Sequence, residues 1–441
     1  MLHIPQMNTG LRLLIKGGRV IDPATGTDET ADVAIANGRV LAIKDALGDF
    51  QAEQILDAAG CLVIPGLVDL AVRLREPGHE HTHMLASEMS AAVAGGITSL
   101  VCQPDTDPVL DEPGLVEMLR FRAEKLQQAR VYPLGALTRG LQGQSLTEMV
   151  QLTDAGCVAF GQANAPMPDT RMMQHLMQYA STFGYAVWLH PLDNCLGQGA
   201  AASGPLATRM GLVGIPVAAE TIALHTLFEL MQVTGVKVHL CRLSSSAGVA
   251  LVRQAKARGL PVTSDVSINS LHLTDEDIGY FDSRAHLTPP LRQAIDRQAL
   301  SAGLADGTID ALVSDHTPVD EESKALPFAQ SEAGATGLEL LLSLAWQWHL
   351  ASGVPIARAL AVVTCGPASV LGTALGTRLG RTGHLHVGGE ADVCVFDPHA
   401  HWTVSPHNLC SQAKHTPFAG RQLPGRVRAT VVGGRVAFVG N

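Results

Sequence analysis

The sequence predicts an α/β fold, a (β/α)8 barrel of the TIM type with a small composite β-domain built from both chain ends. Three observations carry this. Eight short apolar runs, at residues 61–74, 97–103, 130–137, 157–162, 185–190, 237–244, 260–266 and 310–316, alternate with helical patterns. That alternation is the mark of parallel strands joined by crossover helices, and eight repeats suit a closed barrel. Short strand patterns punctuated by turn residues also stand at both ends of the chain, outside the alternation.

Taken in order, residues 11–64 read as short strands, and the stretches 13–21 and 33–40 both fit hairpins, the second with an Asn37-Gly38 turn. Helical patterns at 112–128, 170–183, 219–234 and 246–258 separate the barrel strands. A further helix at 337–350 carries Trp346 and Trp348, read as packing residues. The β-pattern returns at 391–397 and 430–436, where Gly433-Gly434 reads as a turn and not as a phosphate loop. The expected domains are therefore 1–64 with 380–441, and the barrel at 65–379. Barrel chemistry sits at the C-terminal ends of strands, so candidate residues are sought there.

A chain of 441 residues is long enough to bury a large core. Charged residues make up only 16%, which fits either an extensive core or a surface covered by partners. Net charge is −10 with no basic run, which argues against nucleic acid. Eight cysteines (Cys61, Cys102, Cys157, Cys195, Cys241, Cys365, Cys394 and Cys410) are scattered without a Cys-x-x-Cys pair. They read as reduced core thiols of a cytoplasmic protein. Residues 1–10 lack the form of a signal peptide, and no run of 18 uncharged apolar residues predicts a membrane span.

The stretch 65–78 contains Asp69-Leu70-Ala71-Val72-Arg73-Leu74-Arg75. It resembles the first-strand motif of the dihydroorotases, cyclic amidohydrolases that write Asp-x-His-x-His-x-Arg here, the two histidines holding the catalytic metal. Segments 95–106, 273–278, 289–292 and 306–316 extend the resemblance, which runs from about Leu13 to Val436. The frame is present and both histidines are missing: alanine has no donor atom, and arginine is a permanent cation. Following the family further, the fourth-strand bridging ligand is replaced at Gln162 and Ala163, and the sixth-strand ligand by Arg242. His190 matches the fifth-strand ligand, and Asp315 the metal-binding aspartate that also serves as general base. Arg75 stands where the family binds the substrate carboxylate. Asp105 replaces an asparagine and would repel an anion, while Thr288 and Val319 replace two further substrate contacts.

What the resemblance implies is a catalytically inactive dihydroorotase homologue without zinc, in which His190, Asp315 and Arg75 are vestigial. In some bacteria such a homologue is the structural chain of a complex with aspartate carbamoyltransferase in pyrimidine synthesis, so the catalytic chain of that enzyme is the expected partner. A rival reading is a working cyclic amidohydrolase using relocated ligands. A third is a module binding a small anion around Arg75, Arg73 and Arg242. Asp315 is expected to pair with Arg242 or Arg73, because a buried carboxylate needs a counter-charge. The cluster His79, His81 and His83 is read as a surface loop, and His384 and His386 as exposed residues of a late β-segment.

Overall fold

The structure, a computed structural model, describes residues 11–47, 50–80, 82–167, 169–375 and 382–440. Five strands open the chain: β1 (Leu13–Asp22), β2 (Thr27–Ala36), β3 (Arg39–Lys44), β4 (Gln54–Asp57) and β5 (Leu62–Pro65). The barrel strands are β6 (Leu67–Val72), β7 (Ile97–Cys102), β8 (Arg130–Ala136), β9 (Ala159–Gly161) and β10 (Ala186–Leu189). After a short pair, β11 (Ala201–Ala202) and β12 (Gly214–Ile215), the barrel continues with β13 (Lys237–Leu240), β14 (Val262–Ser267) and β15 (Ala311–Val313). Strands β16 (Val393–Thr403), β17 (Gln422–Val432) and β18 (Arg435–Val439) end the chain.

Strands β6 to β10 and β13 to β15 pair in parallel in chain order. A bridge between Val72 and His316 joins the last segment to the first. The Ser314 amide adds a hydrogen bond of 3.2 Å to the Asp69 carboxylate across the same seam. These strands are covered on both faces, which is why most of them read as largely apolar runs. Val68, Leu70, Val101, Leu134, Trp188 and Val313 pack together as one cluster, joined by Ala368 and Leu371 of the helix Cys365–Leu375. The β-domain is a second eight-stranded sheet in the order β18-β17-β16-β5-β1-β2-β3, with β4 paired to β1. Both chain ends therefore contribute to one sheet, and the predicted fold class stands.

Several expectations need correction. Residues 13–21 form no hairpin: β1 runs straight through Gly17-Gly18, which make a bulge against β2. Gly17 takes φ +71°, and its amide, lost to the ladder, donates to Asp32 at 2.8 Å. The run 61–74 is two strands, because Gly66 carries the chain from the β-domain into the barrel. The helix expected at 337–350 is a 3-10 turn, Leu338–Leu340, followed by a helix over Leu341–Ser352. Trp346 and Trp348 are buried in its packing. His384 and His386 are half-buried and lie outside any strand. Cys195 and Cys410 are exposed and not core thiols, although all eight cysteines are free. No helix among the described residues is long and apolar enough to cross a membrane.

Candidate functional site

The residues singled out in the sequence converge at the C-terminal mouth of the barrel. Ala71 is on β6, and Arg73 lies two residues further along the same face. Arg73 is buried and spoken for on most sides. Its Nε donates to Asp105 at 2.7 Å and its Nη1 to the Thr317 hydroxyl at 3.0 Å, while Nη2 finds no acceptor among the described residues. Burial works to raise the Asp105 pKa, but Arg73 draws it below the usual carboxylate range. Asp105 thus faces a guanidinium and not an incoming anion.

Arg242 follows β13 and reaches across the mouth. Its backbone amide donates to Asp265 at 2.6 Å, which fixes the turn. Its Nη1 donates to the Thr288 carbonyl at 3.1 Å and to Asp315 at 3.3 Å, and its Nη2 donates to Asn164 at 2.5 Å. Of the two expected counter-charges for Asp315, Arg242 makes the contact and Arg73 stands further off. Burial raises the Asp315 pKa against the opposing pull of both arginines. Arg75, Ala163, Arg242 and Asp315 all hold left-handed φ, between 49° and 60°. Such strain persists only where the surroundings over-determine the backbone.

Gln162 is tied down by hydrogen bonds to Thr138 and, at 2.9 Å, to the Leu141 carbonyl, in the loop after β8. His190, just past β10, donates from Nδ1 to the Cys241 carbonyl at 3.1 Å, and its Nε2 has no partner among the described residues. Burial first, and Arg242 second, push its pKa down to about 3, so the ring is neutral. Arg75 is occupied too, donating to the Pro318 carbonyl at 3.0 Å and pairing with Glu332 at 2.7 Å. Each guanidinium read as part of an anion pocket already meets protein acceptors. Val319 is buried and offers no donor. Beside His190, a cavity of 220 Å³ runs between the ends of β9 and β10 and is lined by Asn164, Met167, Met173 and Ile222.

Several buried groups have partners that the sequence did not show. Asp69 is fully buried; its Oδ2 lacks a partner among the described residues, and burial pushes its pKa up to about 7. His239, Cys241 and Asp265 place three potential donor atoms within 4.8 Å of one another. Both ring nitrogens of His239 are used, however, by Thr263 at 2.8 Å and Asp265 at 2.9 Å. His316 pairs with Glu88 at 2.8 Å, and Ser411 donates to the same carboxylate at 2.6 Å, which ties the mouth to the C-terminal segment. Asp69 and His316 lay inside the segments that carry the resemblance, and His239 matched the non-liganding sixth-strand histidine; for Asp265 the only signal was a polar residue inside an apolar run. The surface-loop reading of 79–83 fails at His83, which is buried against Thr82. His79 is half-buried, and His81 lies outside the described residues.

Comparison with known proteins gives a consistent picture. A family model described as Dihydro-orotase-like matches residues 60–247. A "Dihydroorotase-like protein" of Pseudomonas putida is 42% identical, covering 97% of this chain and 99% of that protein. Its namesake in Pseudomonas aeruginosa is 43% identical over 98% of this chain and all of that protein. A "Dihydroorotase" of Citrifermentans bemidjiense is 38% identical over 97% of this chain. Among solved structures, the L-hydantoinase (dihydropyrimidinase) of Arthrobacter aurescens superposes with TM-score 0.86. It covers 98% of this chain and 97% of its own at 24% identity, a likeness of fold.

Proposed function

The chain belongs to the dihydroorotase-like family, and on that premise we propose that it is a catalytically inactive member. Its role is that of a structural or regulatory subunit, cytoplasmic, joined to the catalytic chain of aspartate carbamoyltransferase in de novo pyrimidine biosynthesis. The observation that carries this is the bonding of Arg242 to Asp315, Asn164 and Thr288 at the mouth.

A catalytic zinc takes three protein donors and keeps one position open for water. The equivalent residues here do not fit that demand. Ala71 has no donor, Gln162 is turned into the 138–141 loop, and Arg73 and Arg242 bring two buried positive charges. His190 and Asp315 leave too few ligands, and Asp315 already faces a guanidinium. No hydrolytic step is therefore assigned to this mouth. Near-complete alignment with full-length relatives supports retention of the whole fold for another purpose, and a charged content of 16% suits a chain with covered surface.

One observation favours the rival reading of an enzyme with relocated ligands: the trio His239, Cys241 and Asp265. Metal analysis of chelator-free, untagged protein separates the two. The subunit reading expects no stoichiometric zinc and no dihydroorotate hydrolysis with zinc added. One equivalent of zinc, together with turnover lost in His239→Ala, would establish the rival. The partner is tested by co-expression with aspartate carbamoyltransferase: a carbamoyltransferase that assembles and works equally well without this chain removes the subunit reading.

A further inference from the structure

Tyr280 is 95% exposed and Phe281 40%, in a chain in which only 4% of residues are aromatic. The two rings meet edge to face with centroids 5.6 Å apart. They sit on the segment after β14, past the 3-10 turn Asp275–Ile278, and so on the mouth end of the barrel. Phe281 holds φ +58°, a left-handed pose unusual for a bulky side chain. The segment is not loose. The Ser283 hydroxyl donates to the Lys324 carbonyl at 2.6 Å, and buried Lys324 donates from Nζ to Ser283 and His286 carbonyls at 3.0 and 3.2 Å. This clamp brings the loop after β15 alongside, with Leu326 47% exposed.

The unpaired charges around this apolar tip have one sign, since the nearby Arg421 is paired with Asp277 at 2.6 Å. Glu276, Glu321 and Glu322 are exposed and have no ion-pair partner among the described residues. Arg284 is engaged by Asp282 at 2.6 Å, and Lys324 is buried. Large exposed aromatics held in a fixed pose are typical anchors of protein interfaces. A second copy is a poor occupant, since an isologous contact would bring the same glutamates face to face between chains of net charge −10.

We propose that Tyr280, Phe281 and Leu326, edged by Glu276, Glu321 and Glu322, form the docking tip by which this chain engages a protein partner presenting an apolar pocket rimmed by lysine or arginine. The choice of partner for the test rests on the subunit reading above.

The test is sedimentation velocity of the full chain with the aspartate carbamoyltransferase catalytic chain. Three variants are compared with wild type: Tyr280→Ser, the triple change Glu276→Lys with Glu321→Lys and Glu322→Lys, and Val233→Ser at the far end of the helix Val217–Thr234. Tyr280→Ser and the charge reversal should each weaken the complex at least about tenfold, a loss typical of an interface anchor. Val233→Ser should leave it unchanged, and added salt should weaken the wild-type complex. Unchanged melting temperatures show that the variants are folded. Equal affinity of wild type and Tyr280→Ser would overturn the docking tip and leave the subunit reading standing. No complex with wild type would overturn both. A dimer of this chain alone that is lost in Tyr280→Ser would reassign the tip to a second copy and overturn the proposal.

Discussion

Arg242 and Asp315 are each the other's buried counter-charge, and the arginine also holds Asn164 and Thr288. Removing one member of such a pair strands the other, at a typical cost of about 3–5 kcal/mol. Arg242→Met is therefore expected to lower unfolding stability by about that much in urea titration. Adding Asp315→Asn to it should recover part of the loss; equal stability of wild type and Arg242→Met would refute the pairing. Asp69 gives a pH signature. Its pKa is pushed up to about 7 by burial, whereas an unfolded aspartate titrates near pH 4. Between these values the folded chain binds the extra proton. This contribution to stability is thus full below about pH 4 and is lost as pH rises towards 7. Asp69→Asn should flatten the dependence of the urea midpoint on pH across that window, and an unaltered slope would show that Asp69 titrates normally. The missing donors at 71, 73 and 242 could be seen in the sequence, since side-chain chemistry is a local property. Their new acceptors could not: Thr317 and Glu332 lie far along the chain from Arg73 and Arg75, and only folding brings them near.

At the scale of elements, the barrel strands were readable because each is a buried parallel strand and hence an apolar run. The Asn37-Gly38 turn between β2 and β3 was readable for a different reason, the left-handed φ of both residues, 53° and 73°. Gly17-Gly18 misled because a glycine pair can serve a turn or a bulge, and the choice depends on which strand lies opposite. Gly66 is the joint between the two domains. A Cβ there would meet Thr98 side-chain atoms at 2.2 to 2.8 Å. Gly66→Ala is expected to destabilise by about 1–3 kcal/mol through overpacking, seen as a lower melting temperature. A melting temperature at or above wild type would mean that β6 and β7 yield at no cost.

The molecule as a whole keeps an amidohydrolase-type frame, including strained loops at the mouth, around side chains that neutralise one another. On the proposed inactive reading, the first-strand positions are only part of what separates this mouth from a metal site. Ala71→His with Arg73→His is expected to give no dihydroorotate hydrolysis with zinc added, because Arg242 and Gln162 still stand at the other ligand positions. Measurable turnover in that double variant would place the defect at the first strand alone.

The sequence by itself determined the α/β barrel, the sharing of one β-domain between the two ends, and the absence of metal-ligating side chains at Ala71, Arg73 and Arg242. These follow from residue type and periodicity, which act over a few positions. Only the tertiary structure decided which charges meet: Arg73 with Asp105, Arg242 with Asp315 and Asn164, Arg75 with Glu332. It alone decided that Gln162 is bonded to the loop after β8, that His83 is buried, and that Tyr280 is exposed beside the mouth. The physical reason is that a buried charge is stabilised by whatever group closure of the barrel sets against it. Closure joins strands from opposite ends of the chain, which no local pattern encodes.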